Sequence, residues 1–525
     1  MNLPFPGKKT EQHRVFEEYN PETEPSLVDA EIPDDFDLID EYWVEQGRSL
    51  VRILRDRRTG QNEYHLIEPA LSAFEYELLE RMYEDLRDTL ILSDDEMKQQ
   101  RRSVLLDRMD AQIREYGIVL DTMARRKVEY YILRNFLGWS RLHGLMKDTN
   151  IEDISCDGSD IPIFLYHRYH KNIRTNIRFS EEELNSLGIS LAQRSGKHVS
   201  IGTPVVDATL PDGSRLQLTF GKEVSTRGTS FTIRKFRAEP FTPVELLDLG
   251  TFSSEELAYF WMAIENNKSL LFIGGTASGK TTSLNAVSLF IPPLAKVVSI
   301  EDTREITLFH ENWVASVTRD TVAGETSTSI SMFDLLKAAM RQRPEFILVG
   351  EVRGEEAQTL FQAMNTGHTT FSTMHAGSVD AAIHRLENEP LNVPRNMVQA
   401  LDIVSIQALT YRGTERVRRC QEIVEIVGVD PGTGNLQVNT VFSYDPVSDE
   451  MRYSGRSLVY GRIMELRGWT AAQLADEIQE RIRILEAMKA QGITDYRDVS
   501  RIFHAYAINR DSVMDALESL SGLFL

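Results

Sequence analysis

The sequence predicts an α/β protein whose second half is built on a largely parallel sheet covered by helices. From about residue 251 onward, short apolar runs alternate with amphipathic helical stretches, which is the pattern of parallel strands joined by helices. A phosphate-binding motif occupies 274–281, between one such apolar run and a helix-compatible stretch. A helical segment and a smaller mixed α/β segment precede this half, so the 525 residues are expected to form several domains.

The composition is that of a globular protein rather than a disordered chain, because 42% of the residues are hydrophobic and 26% are charged. The 58 Lys and Arg are outnumbered by 79 Asp and Glu, so the formal net charge is −21. An overall basic field that would attract nucleic acid is absent, and we expect no direct nucleic-acid contact. No stretch of 18 apolar residues occurs, which predicts that the chain is not inserted in a membrane.

The first 70 residues are predicted to form an acidic N-terminal arm that is partly disordered. Residues 11–45 contain thirteen Asp or Glu and a single basic residue, Arg14, with three prolines among them. Such a composition is typical of weakly structured segments. Two interpretations stay open: a solvated tail without a specific role, and an arm that docks on a partner.

Residues 71–140 are predicted to form a helical subdomain. An apolar helix face is predicted by Phe74, Leu78, Leu79, Met82 and Leu86, which recur at spacings of three and four residues. A mixed α/β N-domain is expected over 141–238, with strand candidates at 161–167 and 229–236.

The prolines at 240 and 243 predict a linker over 239–250, because proline removes a backbone donor and disfavours helix at the residue before it. The remaining segment, 251–525, is predicted to be the domain with the parallel sheet. Its strand candidates lie at 269–273, 296–300, 314–317, 346–349 and 370–372.

The phosphate loop is the strongest signal in the sequence. Its glycines let backbone N–H groups point at phosphate oxygens, and the helix that follows adds the positive end of its dipole. Lys280 is expected to reach the β- and γ-phosphates, and the Thr281 hydroxyl to ligate Mg²⁺. Since no base-reading motif of GTPases follows, ATP is the expected nucleotide. The predicted nucleotide-binding residues are Gly274, Gly275, Thr276, Ala277, Ser278, Gly279, Lys280, Thr281 and Thr282.

Two carboxylate positions follow strand candidates of the same domain. Glu351 comes after 346–349, and Gly350 stands where motor ATPases often place an aspartate, so Glu351 is the candidate base that activates water. Glu301 and Asp302 end the strand at 296–300, where strand ends face the nucleotide crevice. Glu301 and Glu351 are thus candidates to hold Mg²⁺ through water. The alternatives are a surface glutamate at 351 and an exposed acidic turn at 301–302.

Two histidines flank the strand candidate at 370–372. His375 follows this strand and is a candidate sensor of the γ-phosphate, and His368, which precedes it, is a weaker one. The alternative is that either histidine is structural. The spacing of His368, His375 and His384 does not match a metal-ligand pattern.

Taken in order, these motifs resemble the Walker A, Asp box, Walker B and His box of the type II/type IV secretion ATPase superfamily. The flanking residues are closest to its archaeal members, the archaellum motor and archaeal type IV pilus assembly ATPases. The segments that carry this resemblance are Phe231-Thr232-Ile233-Arg234-Lys235-Phe236, the phosphate loop, Ile300-Glu301-Asp302-Thr303, Arg341-Gln342-Arg343-Pro344 and Val349-Gly350-Glu351-Val352-Arg353-Gly354.

The resemblance implies a RecA-like ATPase domain preceded by an α/β N-domain, with ATP bound between them. It further implies a homo-hexameric ring at the cytoplasmic face of the membrane. Such a ring acts on a polytopic membrane platform protein and drives a filament of pilin-like subunits. Arg215 and Arg234 match the N-domain arginines of this family, and Arg227 is a weaker match; without the resemblance, each would be interpreted as a surface arginine.

One departure separates the chain from many bacterial relatives. Those relatives carry a four-cysteine zinc motif, whereas this chain has only Cys156 and Cys420, which also fits a reducing, cytoplasmic compartment. Two alternative functions stay open. One is a nucleic-acid translocase or conjugative transfer ATPase, and the other is a scaffold that is switched by nucleotide binding without essential hydrolysis.

Overall fold

The structure is a computed structural model that describes residues 18–89, 98–237, 239–319, 329–413, 415–430, 432 and 435–524. Residues 1–17 of the expected arm lie outside this part. The chain divides into two compact units, residues 1–236 and 237–525, and each is treated by itself below.

The first unit is organised around a mixed nine-stranded sheet with the strand order β1-β2-β3-β6-β5-β4-β9-β8-β7. Its pairs are antiparallel except β3 with β6. The strands are β1 (Phe36–Glu45), β2 (Ser49–Asp56), β3 (Asn62–Ile67), β4 (Ile151–Cys156), β5 (Phe164–His167), β6 (Lys171–Thr175), β7 (Val205–Thr209), β8 (Arg215–Thr219) and β9 (Ser230–Arg234).

The expected arm over 1–70 differs from the structure between residues 36 and 67, which form β1 to β3. Val51, Ile53 and Tyr64 are fully buried in the core of the first unit. Acidic side chains of β1 remain at the surface, where Asp37 pairs with Arg57. The acidic composition therefore describes only the exposed side of these strands, and the apolar residues between the charges determine the structure.

The helical region of the first unit lies between β3 and β4. Leu78, Met82, Leu105, Met109 and Val128 form a separate apolar cluster, which packs three of the helices on one another. The helices of this unit are α1 (Ala73–Thr89), α2 (Lys98–Glu115), α3 (Thr122–Phe136), α4 (His143–Lys147) and α5 (Glu181–Arg194), with a 3₁₀ turn at Ser140–Leu142.

The second unit contains a nine-stranded sheet with the order β12-β11-β13-β14-β10-β15-β16-β17-β18. The first six strands in this order are parallel, and the last three continue the sheet in antiparallel fashion. The strands are β10 (Leu270–Gly274), β11 (Val297–Glu301), β12 (Trp313–Val317), β13 (Phe346–Val349), β14 (Thr369–His375), β15 (Ile403–Arg412), β16 (Glu415–Val429), β17 (Leu436–Asp445) and β18 (Glu450–Tyr453).

Helices cover both faces of this sheet. Along β10, Leu270 and Phe272 belong to one apolar core, and Leu271 and Ile273 belong to another. A strand that is buried on both faces explains the continuous apolar run in the sequence. The helices are α6 (Pro243–Asp248), α7 (Ser254–Glu265), α8 (Lys280–Ser288), α9 (Met332–Met340), α10 (Glu356–Asn365), α11 (Val379–Glu387), α12 (Arg395–Val398), α13 (Leu458–Arg467), α14 (Ala471–Ala490), α15 (Tyr496–Ile508) and α16 (Arg510–Asp515), with a 3₁₀ segment at Leu517–Phe524.

A short helix, α6, occupies the middle of the expected linker at 239–250. Thr242 caps it, since its hydroxyl accepts from the Glu245 backbone N–H at 3.1 Å and the Glu245 carboxylate accepts from the Thr242 N–H at 3.0 Å. Pro243 stands in the first turn, where a missing N–H costs no hydrogen bond. The proline therefore begins a helix here instead of interrupting the chain.

Candidate active site

The phosphate loop connects the end of β10 to the start of α8. Gly274 has a φ of +156°, and a Cβ atom on it would lie 2.2 Å from the carbonyl oxygen of Gln407. Gly279, with a φ of +96°, is the residue before the first turn of α8. Only glycine fits the first position, because the neighbouring strand β15 leaves no room for a side chain. The close contact with β15 therefore holds the start of the loop against the sheet independently of a ligand.

Lys280 folds back over this loop. The residue is only 8% exposed, and its Nζ donates to the carbonyl oxygen of Gly275 at 2.8 Å. The Ser278 hydroxyl donates to the same carbonyl oxygen at 2.9 Å. A buried ammonium at the start of a helix, beside a glycine-rich turn, makes this loop suited to an anion such as a phosphate chain.

His375 lies next to the loop, because β14 runs parallel to β10 and Gly274 is the register partner of His375. Its Nδ1 is 3.4 Å from Lys280 Nζ, and its Nε2 is 3.5 Å from Glu351 Oε1. Burial, followed by the charge of Lys280, lowers the pKa of His375, and the carboxylate of Glu351 opposes the shift. A neutral imidazole therefore connects the lysine of the loop with the candidate base.

His368 lies at the other end of β14, so it is about 20 Å from the edge that carries the phosphate loop. Its Nδ1 is 3.3 Å from the hydroxyl of Thr366, which belongs to the turn after α10. The structure thus brings His375, and not His368, to the candidate site.

Glu301 ends β11 in a buried position at the same edge. Its Oε1 accepts from the backbone N–H groups of Glu305 and Ile306, both at 2.9 Å, while Oε2 has no hydrogen-bond partner among the described residues. Burial raises the pKa of this carboxyl to about 7. Asp302 is occupied differently, since it pairs with Arg353 and accepts from the Thr318 hydroxyl at 3.1 Å. Glu301 is therefore the better candidate of the two for a water or a cation.

The side chain of Glu301 explains why a glycine is suited to position 350. A Cβ atom on Gly350 would lie 3.1 Å from Glu301 Cγ, so the side chain of Glu301 occupies the space next to this position. The Thr373 hydroxyl donates to the Gly350 carbonyl oxygen at 2.6 Å and fixes the strand end. Glu301 thus supplies a carboxylate beside the place where many motor ATPases have an aspartate.

The oxygen atoms at this edge fit Mg²⁺ bound together with a phosphate chain. Magnesium is usually held by one or two carboxylates and substrate phosphates rather than by a complete protein cage. The unpartnered Oε2 of Glu301 is a suitable ligand or water acceptor, and Thr281 stands half-buried in the first turn of α8 with Thr282 beside it. Within the described ranges, no group of three or more His, Cys, Asp or Glu could hold a metal ion by itself.

Two of the predicted arginines lie side by side in the first unit. Arg215 and Arg234 are register partners on β8 and β9, and both are exposed. Arg215 pairs with Asp207 at 3.1 Å. Arg227 lies outside this pair, in the loop between β8 and β9.

One contact of the phosphate loop could not be predicted from the sequence. Arg418, on β16, donates from Nε to the carbonyl oxygen of Ala277 at 3.0 Å. The two residues are far apart in the chain, and no motif surrounds Arg418 that would associate it with the loop.

The family described as Type II/IV secretion system protein matches residues 146–505, which is more than half of the chain. The chain belongs to this family. A second family, described as PilB3-like, N-terminal, matches residues 9–70. The second unit is therefore the RecA-like P-loop domain of a type II/IV secretion family member. It follows a mixed α/β N-domain and a helical region, so the predicted fold class is confirmed.

Relatives of this secretion family member occur in several organisms. An uncharacterized protein of Methanocaldococcus jannaschii is 38% identical over 387 residues, which are 73% of this chain and 70% of that protein. The type IV secretion system protein PtlH of Bordetella pertussis is 32% identical over 39% of this chain and 67% of its own. The X-ray structure of the Legionella pneumophila ATPase DotB matches with a TM-score of 0.39 and 18% identity, over 70% of this chain and 95% of that one.

Among the helices in the described ranges, none combines the length and the apolar character that crossing a membrane would require.

Proposed function

We propose that this member of the secretion family is an Mg²⁺-dependent ATPase that hydrolyses ATP to ADP and phosphate. Its role would be to power the assembly or rotation of an archaeal surface filament, an archaellum or a type IV pilus, or a related secretion machine. It would act as a homo-hexamer in the cytoplasm, attached peripherally to the membrane through a polytopic platform protein. The family match and the resemblance to archaeal filament ATPases support this proposal.

The observation that carries the proposal is the convergence of four groups at one edge of the parallel sheet. The phosphate loop, Glu301, Glu351 and His375 come from four neighbouring strand ends. Each group can supply one function that ATP hydrolysis needs. The loop binds an anion, Glu301 offers a carboxylate to bound water, Glu351 is the candidate base, and His375 lies between this base and Lys280. Strand ends at such an edge are where α/β proteins place ligands.

In the proposed reaction, a water attacks the γ-phosphorus and the bond to the bridging oxygen breaks. Glu351 accepts the proton of the attacking water, and Lys280 stabilises charge on the γ-phosphate oxygens. Thr281 would hold Mg²⁺, with Glu301 and Glu351 acting through water; the ion would neutralise charge on the phosphates. His375 satisfies both of its contacts as a tautomer that accepts from Lys280 at Nδ1 and donates toward Glu351 at Nε2. Loss of the γ-phosphate would change the interactions of Lys280, and the contact between Lys280 and His375 would transmit this change to the histidine.

The test compares three variants of the full chain. Lys280→Ala should abolish ATP turnover, because the buried ammonium of the loop is lost. Glu351→Gln should still bind ATP but hydrolyse it about 10²–10⁴ times more slowly, since the candidate base is removed. Glu355→Gln, an exposed neighbour, is the matched control and should hydrolyse ATP like the unchanged chain. Turnover in Lys280→Ala would refute the proposal, and unchanged hydrolysis in Glu351→Gln would remove Glu351 from its role.

The same variants separate the alternatives. A filament-assembly assay with Glu351→Gln distinguishes a motor, which should fail, from a scaffold switched by binding alone, which should succeed. ATP hydrolysis that DNA stimulates in a salt-dependent way would favour a nucleic-acid translocase. The net charge of −21 argues against strong nucleic-acid binding by the chain as a whole.

A further inference from the structure

The hairpin formed by β15 and β16 runs past the phosphate loop. Gln407 of β15 is the register partner of Gly274, the last residue of β10. Residues 408–412 continue β15 beyond that point, and the start of β16 pairs with them in antiparallel register. This extension places the side chains of β16 within reach of the outer side of the loop.

Arg418 is the residue of this hairpin that contacts the loop. Its Nε donates to the Ala277 carbonyl oxygen at 3.0 Å. Its Cδ lies 3.5 Å from the point where a Cβ of Gly279 would be, so the apolar stem passes over the last glycine of the loop. One side chain thus touches the loop at both of these positions.

Ala277 needs such support. It has a φ of +59°, a left-handed conformation that costs a non-glycine residue roughly 1–2 kcal/mol. In a phosphate loop the backbone N–H groups must point inward, so the carbonyl groups between them point outward and need donors elsewhere. A charged donor makes the stronger kind of hydrogen bond to such a carbonyl.

We infer that Arg418 is a positioning residue of the nucleotide site: it fixes the phosphate loop in its anion-binding conformation through the hydrogen bond from Nε to the Ala277 carbonyl. The inference rests on the proposed binding of ATP at this loop. Arg418 acts on the loop and not on the transferred phosphate, so its removal weakens ATP and ADP binding by the same factor. The hydrolysis step itself keeps its rate.

The adjacent residue, Arg419, has a different task. It is buried, pairs with Asp449 through Nε at 2.7 Å and Nη2 at 3.0 Å, and donates to the Leu249 carbonyl oxygen at 3.0 Å. Alternate residues of a strand face opposite sides, which explains why one arginine holds the loop and its neighbour holds the end of α6. Arg419 is therefore unsuitable as a control, because its replacement would leave Asp449 half-buried without its main partner.

Two substitutions of Arg418 distinguish the hydrogen bond from the charge. In Arg418→Gln, the amide nitrogen is attached to Cδ, so a donor stays at the position of Nε while the positive charge is lost. In Arg418→Met, a chain of similar length keeps the packing over Gly279 but offers no donor. Arg452→Met is the matched control, since Arg452 is an exposed arginine of the same sheet that pairs with Asp445 on β17.

The experiment measures ATP and ADP affinity, KM, kcat and thermal unfolding of the full chain. We expect Arg418→Met to raise the dissociation constants of ATP and ADP and the KM about three- to tenfold, with kcat changed less than about twofold. Arg418→Gln and Arg452→Met should bind like the unchanged chain. Unfolding temperatures of all three nucleotide-free variants should agree, which excludes general destabilisation.

Each outcome decides for or against the inference. Unchanged affinity in Arg418→Met overturns it, and so does an equal loss in Arg418→Gln, because the charge and not the donor would then matter. A loss of kcat without a change in KM also overturns it. The proposed function fails separately, if the unchanged chain binds neither nucleotide. Should Arg418→Met not fold, Arg418→Leu keeps the stem without the donor and provides the same comparison.

Discussion

At the scale of single residues, the edge of the second sheet where the parallel strands end shows that the residue type at one position can depend on a side chain distant in sequence. Gly350 lacks a side chain and Glu301 fills the space beside it. Glu301 is at the same time held through Oε1 by two backbone N–H groups, while its second oxygen is buried without a hydrogen-bond partner among the described residues. A side chain at 350 would place its Cβ 3.1 Å from Glu301 Cγ, so Glu301 would have to shift by a few tenths of an ångström. Position 350 therefore depends on where the side chain of Glu301 lies.

A buried glutamate away from the site gives a test of pH dependence. Glu256 is fully buried in the first turn of α7, where its carboxylate accepts from the Ser253 N–H at 2.8 Å. Burial raises its pKa to about 8, against 4.5 for an ordinary glutamate. The folded protein thus binds a proton that the unfolded chain releases. Between these two pKa values, stability falls as the pH rises, by about 1.4 kcal/mol per pH unit.

The change Glu256→Gln should remove this loss, because glutamine is neutral and still completes the capping box with Ser253. Chemical unfolding at about pH 5 and about pH 8 should show a variant that gains on the unchanged chain as the pH rises. Glu255→Gln, which alters an exposed residue on the same turn, should show a much smaller gain, because the charge of Glu255 contributes less than burial to the raised pKa of Glu256. A constant difference between Glu256→Gln and the unchanged chain would mean that Glu256 is ionised in the folded protein.

At the residue scale, the phosphate loop could be predicted because all the residues of its motif are eight consecutive residues of the sequence. The role of Glu301 as the carboxylate next to Gly350, and the contact of Arg418 with Ala277, could not be predicted in this way. Both depend on which strands become neighbours in the sheet. A single sequence contains no direct signal for contacts between such distant segments.

At the scale of secondary structure, two adjacent glycines in the turn from β10 to α8 are expected to differ in how well they tolerate replacement by alanine. In Gly274→Ala, the new Cβ would lie 2.2 Å from the Gln407 carbonyl oxygen and 2.5 Å from the Ser278 hydroxyl. The loop and β15 would have to separate, which should cost about 1–3 kcal/mol of unfolding free energy. Gly275→Ala meets no atom within 4 Å and should change stability by less than about 0.5 kcal/mol.

Denaturant unfolding of the two variants measures this difference directly. Nucleotide affinity should fall with stability in Gly274→Ala, since the turn that shapes the loop is displaced. Equal unfolding free energies for the two alanine variants would show that β15 does not restrain the loop as described.

The elements that could be predicted are those with an unbroken apolar run. The candidates at 269–273, 296–300 and 346–349 end within one residue of β10, β11 and β13, because strands buried on both faces carry no charges to interrupt them. The strand β16 was not predicted. Its fifteen residues mix buried Cys420 with exposed charges, and its regular structure depends on the pairing with β15 and β17.

At the scale of the whole chain, the first unit joins segments that two different families describe. Asp148 lies in the segment matched by the secretion family, and Tyr42 and Tyr64 lie in the segment matched by the PilB3-like family. The buried Asp148 carboxylate accepts from both tyrosine hydroxyls, at 2.7 and 2.8 Å. The N-terminal strands are therefore an integral part of the first unit. Acidic composition alone could not reveal this, because the tyrosines and their acceptor are some hundred residues apart.

The arginine pair of the first unit provides the last prediction. Arg215 and Arg234 stand directly opposite each other on neighbouring strands, where like charges repel, although Arg215 also pairs with Asp207 at 3.1 Å. Such a pair is understandable if it serves an anion, and we propose that both arginines are needed for ATP turnover. Arg215→Gln and Arg234→Gln should then each lower ATP turnover by about 10³-fold or more. Arg234→Gln should keep its stability or gain slightly, because the repulsion is relieved. Arg215→Gln should change stability little, because its exposed ion pair with Asp207 is lost as well.

The double variant and a surface control complete this test. If both arginines act on one phosphate, turnover in Arg215→Gln/Arg234→Gln should fall far less than the product of the two single effects. Arg178→Gln, which removes an exposed arginine of the same unit, should leave turnover unchanged. Losses of turnover that follow losses of stability would assign the pair a structural role. Unchanged turnover in both single variants would mean that neither arginine takes part in hydrolysis.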